Sequence, residues 1–251
     1  MTQASMIITP IKTDAIRVGM FNLEHFIDTF VPSLHEHDVL VVTSKVVSLC
    51  EGAVVPADGT NRDALVQSEA DFFLPTNTNP YGFHITIKKN TLIASAGIDE
   101  SNGDGHYILW PTDPQKSANT IREFLCAKFH LQKVGVVITD SHVMPLRWGT
   151  VGTAIAHSGF QALNSYVGKP DIFGRKLKVT NSNVAEGIAA AAVVVMGEGD
   201  EQTPLALISD ADFIQFQDRN PTQEELSSLA ISKEEDIFAP FLNAVQWETK
   251  K

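Results

Sequence analysis

Thiol chemistry is scarce in this 251-residue chain: Cys50 and Cys126 are its two cysteines, and they form no Cys-x-x-Cys pair. That excludes a disulfide framework and a thiolate zinc site, and points to a reducing compartment. No run of about 18 apolar residues occurs, and the opening MTQASMIITPIKTDAIR places no long apolar stretch behind a basic start. Neither a membrane span nor a secretory leader is expected, so the chain reads as cytoplasmic. Positive charge is short as well. Nineteen Lys and Arg face 30 Asp and Glu, for a formal net charge of −11, and no basic cluster interleaved with aromatics offsets it. Nucleic acid is excluded as a partner on that ground. A nucleotide is not excluded, because divalent cations can stand between carboxylates and phosphates. Also missing are a Walker A loop, a Gly-x-Ser-x-Gly elbow, a metalloprotease histidine spacing, internal repeats and low-complexity segments. His35 and His37 in SLHEHD have no third ligand near them in sequence and read as solvated or core-edge histidines.

What is present is an ordinary globular composition, with 43% hydrophobic and 20% charged residues. Short β-branched apolar runs predict strands at Ile7–Ile8, Val39–Thr43, Ile85–Ile87 with Leu92–Ala94, and Val134–Thr139. Most are too continuous to alternate, as suits strands buried on both faces. Helices are predicted over Asn22–Phe30, over Ser117–Phe129 with Ser117 as cap, and over the Ala-rich Val184–Met196. The mixture lacks a steady βαβ rhythm, so the fold class is α+β, mixed sheets with packed helices. A core over residues 1–214, in one or two interwoven subdomains, is expected to precede a C-terminal helical extension over 215–251.

Three segments concentrate short carboxylates at element ends. AGIDESNGDG, residues 96–105, packs Asp99, Glu100 and Asp104 beside Asn102 and three glycines; Thr139-Asp140-Ser141-His142 closes an apolar strand; Met196-Gly197-Glu198-Gly199-Asp200-Glu201 follows the Ala-rich helix. Hard divalent cations want such oxygens, and glycine lets the backbone fold around an ion or a phosphate. Each segment has an ordinary alternative: a solvated acidic turn, a cap on the next turn, or a glycine C-cap. Together they suggest a multi-carboxylate site holding one or two divalent ions against phosphates. Lys45 after a strand, and Arg147 before a glycine-studded stretch, are the basic residues placed to meet a phosphate or a carboxylate.

In chain order, VVTSKVVSLCEG, ASAGIDESN, WPTDPQKSA, ITDSHVMPLRWGTVGTAIAHSG, DIFGRKL and NVAEGIAAAAVVVMGEGDE resemble the coenzyme F420-0:γ-glutamyl ligase family, over roughly residues 7–210. The resemblance implies a GTP- (or ATP-) dependent ligase that joins L-glutamate to a small carboxylate acceptor, on an α+β fold forming an intertwined homodimer. It implies two Mg²⁺ or Mn²⁺ sites, Asp99 and Asp140 holding one ion, Ser141 and Glu198 the other. Nucleotide contacts are implied at Thr13, Asp14, Ala15 and Ile16, at Ser44, Lys45 and Asn102, and along Met196, Gly197, Glu198, Gly199, Asp200, Glu201, Gln202 and Thr203. No catalytic acid or base follows from it. The chain departs from the family pattern at Leu49, where a second lysine is usual, at Ser95 for asparagine, at Ser141 for threonine, and at His142-Val143-Met144 for Phe-Gly-Arg. A folate-type γ-glutamyl acceptor, or a nucleotide- and metal-binding regulator without catalysis, are the alternatives these departures leave.

Overall fold

A computed structural model describes residues 6–250. Its centre is a five-stranded sheet in the order β1-β12-β2-β8-β9, built from β1 (Ile7–Ile11), β2 (Val39–Thr43), β8 (Gly135–Val143), β9 (Thr150–Ser158) and β12 (Leu205–Ser209). One pair, β2 with β8, is parallel, in the register Val39 opposite Gly135 to Thr43 opposite Thr139; its neighbours are antiparallel. Val39 to Val42 and Val136 to Ile138 are fully buried, which is why these runs do not alternate.

Both faces are covered. On one, α1 (Leu23–Phe30), α2 (Ser44–Glu51) and α4 (Pro114–Phe129) bury Phe26, Ile27, Val47, Ile121 and Leu125 against Leu40, Val42, Val136 and Ile138. On the other, α5 (Val184–Met196) packs Ile188, Ala189 and Ala192 against Val41, Val137 and Ile208. Small residues let α5 approach closely: a Cβ on Gly152 of β9 would lie 2.4 Å from the Ala189 carbonyl oxygen. That proximity fixes where the acidic loop after α5 emerges.

A smaller layer lies beyond the end of the sheet. It comprises β3 (Val54–Pro56) paired with β7 (His106–Ile108), helix α3 (Arg62–Glu69), and the three-stranded β4 (Phe72–Phe73), β5 (Ile85–Lys88) and β6 (Thr91–Ala94). Val66, Ala70, Phe73, Ala96, Ile98 and Tyr107 form its core. A hairpin of β10 (Leu163–Ser165) and β11 (Asn181–Asn183) leads into α5. After residue 215 the chain carries the short helices α6 (Gln223–Ser227) and α7 (Ala239–Leu242). It is tied down by bridges from Phe216 to Phe160 and from Glu248 to Phe73.

The mixed α+β class and the predicted strands and helices are present, with two corrections and one long strand that was not expected. The cap of α4 is Asp113, whose side chain accepts from the Lys116 amide; Ser117 lies inside the helix and donates to Glu51. Strand β8 continues four residues past Thr139, so Asp140 and Ser141 lie within it rather than beyond its end. The Gly-rich stretch after Arg147 is the nine-residue β9, whose hydrogen bonds to β8 outweigh the weak strand preference of glycine.

Candidate functional site

Strands β2 and β8 end side by side, and a cavity of about 1530 Å³ opens at their carboxyl ends. Crevices there are the habitual ligand position of open sheets, and this one exceeds the roughly 300–1,000 Å³ of a single small-molecule pocket. Every site residue expected from sequence lines it, from Thr13–Ile16 and Ser44–Lys45 through Asp99, Asn102, Asp140, Ser141 and Arg147 to Met196–Thr203.

Alternation along β8 sends neighbouring side chains to opposite faces. Asp140 leaves on the side of the smaller layer and accepts from the indole nitrogen of Trp110; Ser141 leaves toward α5 and donates to Glu198 Oε1 at 2.8 Å. Burial pushes the Asp140 carboxyl above the usual carboxylate range, and the charge of Asp99 adds to the effect, although Trp110 and Lys45 pull the other way. Part of Asp140 still faces the cavity. For Asp99 burial also acts upward. There the hydrogen bond and charge of Lys45, with Ser101, outweigh it and hold the carboxyl below its ordinary value. Lys45 Nζ lies 2.8 Å from Asp99 Oδ2 and 3.0 Å from Ser101 Oγ. It stands in the first turn of α2, a helix that begins directly where β2 ends.

The loop carrying Asp99 is strained. Ser95, Ala96 and Gly97 have φ of 51°, 54° and 69°, and Asn102 and Asp104 are also left-handed. Such conformations cost about 1–3 kcal/mol each for non-glycine residues and persist only when the surroundings impose them. The surroundings here are the cavity walls. Asn102 Nδ2 donates to the Gly199 carbonyl at 3.1 Å, Arg17 pairs with Asp104 at 3.1 Å, and the Thr13 amide donates to the Gln202 carbonyl at 2.8 Å. The three loops that line the rim are thus joined to one another. Past α5, Gly197 adopts φ 83° and ψ 172°, a region essentially reserved for glycine, and Glu201 accepts from the Gly199 amide at 2.8 Å.

The donor set suits hard divalent cations. Asp99 and Asp140 on one side, and Ser141 with Glu198 on the other, offer only oxygen, and Asp140 is a buried carboxylate whose ionised form a cation would stabilise. Among the described residues no three His, Cys, Asp or Glu side chains are already drawn together as a cage; two of these carboxylates are engaged by Lys45 and Trp110 instead.

Sequence reasoning missed several participants. Trp110 stands in the quoted WPTD segment, but an indole hydrogen bond across 30 residues has no local signature. Thr150, at the start of β9, donates to Glu198 at 3.2 Å. Arg17, Arg62, Tyr81 and Phe83 line the cavity from segments that carry no motif. Arg147 is exposed, on a hairpin with Leu146 and Trp148 over 90% exposed, and donates to its neighbour's carbonyl. Leu49, where a second lysine is usual in the resembled family, is 4% exposed and lines the cavity from α2. Ser95 holds a buried hydroxyl with no hydrogen-bond partner among the described residues.

A profile of the F420-0:Gamma-glutamyl ligase family matches residues 10–210. The coenzyme F420:L-glutamate ligase of Methanococcus maripaludis (strain C6) is 36% identical over 220 residues, 82% of this chain and 86% of the relative. Enzymes of the same name from Methanopyrus kandleri, at 35% over 193 residues (69% and 75%), and Methanocaldococcus jannaschii, at 33% over 223 (82% and 86%), are also similar. With a profile spanning most of its length and relatives above 30% identity over four-fifths of it, this chain belongs to the F420-0:gamma-glutamyl ligase family.

Proposed function

We propose that this chain is an acid–amino-acid ligase that forms an amide bond between L-glutamate and a carboxylate of a small acceptor of the coenzyme F420-0 class, at the expense of GTP or ATP. One observation carries the reading: residues from five separate segments converge on one cavity at the carboxyl ends of β2 and β8. Its volume accommodates more than one reactant. The relatives' names supply glutamate and the acceptor class.

An amine does not displace oxide from a carboxylate at useful rates, so the acceptor carboxylate is first activated. Its oxygen attacks the terminal phosphorus of the nucleotide, the diphosphate leaves, and an acyl phosphate results. Glutamate's amine then attacks the acyl carbon, inorganic phosphate leaves with the bonding pair, and the nitrogen loses a proton. The chain's contribution is to position and screen. Lys45, at the start of α2, brings a positive charge to the phosphate path, and the amides around Gly197 and Gly199 offer donors to phosphate oxygens. Asp99 and Asp140 would hold one divalent ion and Ser141 with Glu198 a second; such ions neutralise charge on transferring phosphoryl groups. Thr13–Ile16, Asn102 and Met196–Thr203 form the remaining nucleotide wall.

The test is release of inorganic phosphate from GTP or ATP with Mn²⁺. Release that requires both glutamate and coenzyme F420-0 is the expected result. Nucleotide binding without release, with F420-0 and folate acceptors alike, would replace the ligase by a binding function.

A further inference from the structure

Behind the cavity wall, Trp110 is buried against the Asp140 carboxylate. Its ring is 3% exposed, and its indole N–H donates to Asp140 Oδ2. Gly97 makes that pose possible, since a Cβ there would lie 2.1 Å from the indole nitrogen. Lys88, 5% exposed and paired with Glu69 at 2.8 Å, holds its ammonium 5.6 Å from the ring centroid. A cation over the face draws electron density from the ring and makes the N–H a stronger donor. Phenylalanine would fill most of the same space. The hydrogen bond is therefore what the tryptophan adds.

We infer that Trp110 is a positioning residue for Asp140: its indole N–H, backed by Lys88 and admitted by Gly97, fixes the carboxylate's rotation so that it faces the cavity ready to take a divalent cation. The inference rests on the reading of Asp140 as a cation ligand. A partner that orients a ligand in this way typically contributes about 10–100-fold to metal affinity. Without it the carboxylate turns among several rotations, at an entropic cost when an ion binds.

The experiment uses the full-length protein and Mn²⁺ alone, with free Mn²⁺ read by electron paramagnetic resonance. Trp110→Phe is expected to weaken Mn²⁺ binding about 10–100-fold while its thermal unfolding stays cooperative. Asp140→Asn is expected to lose that binding altogether. The ¹⁵N-labelled protein has three tryptophans and so three indole N–H resonances. Assigned by elimination with Trp148→Phe and Trp247→Phe, that of Trp110 should be broadened by Mn²⁺ and displaced in Asp140→Asn. A folded Trp110→Phe with wild-type Mn²⁺ affinity, beside an Asp140→Asn that has lost it, overturns the positioning role and leaves the cation site standing. An Asp140→Asn that still binds Mn²⁺ as the wild type does overturns the cation reading, and the inference with it. If Trp110→Phe does not fold, the indole resonance decides: no displacement in Asp140→Asn overturns the positioning role.

Discussion

Strand β8 and the loop over residues 95–105 meet in the same cavity and are built on opposite terms. From Gly135 to Thr139, β8 is buried and lies between β2 and β9, paired with both, with one register shift against β9 between Ile138 and Thr139. The loop has left-handed backbone at Ser95, Ala96, Gly97, Asn102, Asp104 and Gly105, and a buried hydroxyl without a partner among the described residues. Apolar burial and ladder bonds hold the strand wherever its neighbours are. Contacts made across the cavity hold the loop: Lys45 to Asp99, Asn102 to Gly199, Arg17 to Asp104. Stability therefore resides in the sheet and adjustability at the rim, the usual division between scaffold and ligand-gripping segments.

Four changes would break or sharpen this contrast. The largest effect on stability is expected from Ile138→Ala in the fully buried stretch of β8. It should cost about 2–5 kcal/mol in urea unfolding and leave the Mn²⁺ affinity of the folded fraction unchanged; a joint loss of both would show that strand and loop are not separable. Acid should act on the sheet next. Burial pushes the His157 imidazole of β9 down to about 4, although Glu225 pulls upward. Between the ordinary value near 6.5 and about 4 the unfolded chain binds a proton that the folded one does not. Stability present above pH 6.5 is thus lost as the pH falls toward 4, by about 3 kcal/mol, and His157→Gln should flatten that part of the profile. A slope unchanged by the substitution would assign the loss to other groups.

At the cavity end of β8, Asp140→Asn should weaken Mn²⁺-dependent nucleotide binding by at least about 100-fold, roughly 2.7 kcal/mol or more, with little change in unfolding midpoint. Unchanged affinity in titration calorimetry would remove Asp140 from the site. The smallest effect is a gain. Ser95 has φ 51° and a hydroxyl unpaired among the described residues, whereas asparagine tolerates left-handed backbone and reaches further. Ser95→Asn should stabilise by roughly 0.5–1 kcal/mol, and a loss would mean that the buried space at residue 95 admits no larger side chain.

Sequence legibility followed the same division. Helix α5 is present with the expected bounds, and β2 likewise: the Ala-rich run favours helix and the β-branched VLVVT favours strand. Helix α2 was invisible: SKVVSLCE is short, β-branched and without a side-chain cap, and tertiary packing of Val46, Val47 and Leu49 overrides its local preference. Helix α3 had a visible cap in Asn61, which accepts from the Ala64 amide, but no apolar periodicity to announce it. Strand β12, the link between β1 and β2, was missed because a five-residue apolar run after a loop is ambiguous between strand and helix.

By itself the sequence determined the class of the protein: an acidic α+β chain whose motifs carry the family, with oxygen-rich loops at element ends. Those properties are local, set by which side chains follow one another. Only the tertiary structure decided that Asp140 and Ser141 face different partners from adjacent positions of one strand. It alone put Lys45 against Asp99, Trp110 against Asp140, and the three rim loops against one another. These pairs lie tens of residues apart, and nothing in either segment specifies the other until sheet register and the close approach permitted by Gly97 and Gly152 bring them within hydrogen-bonding reach.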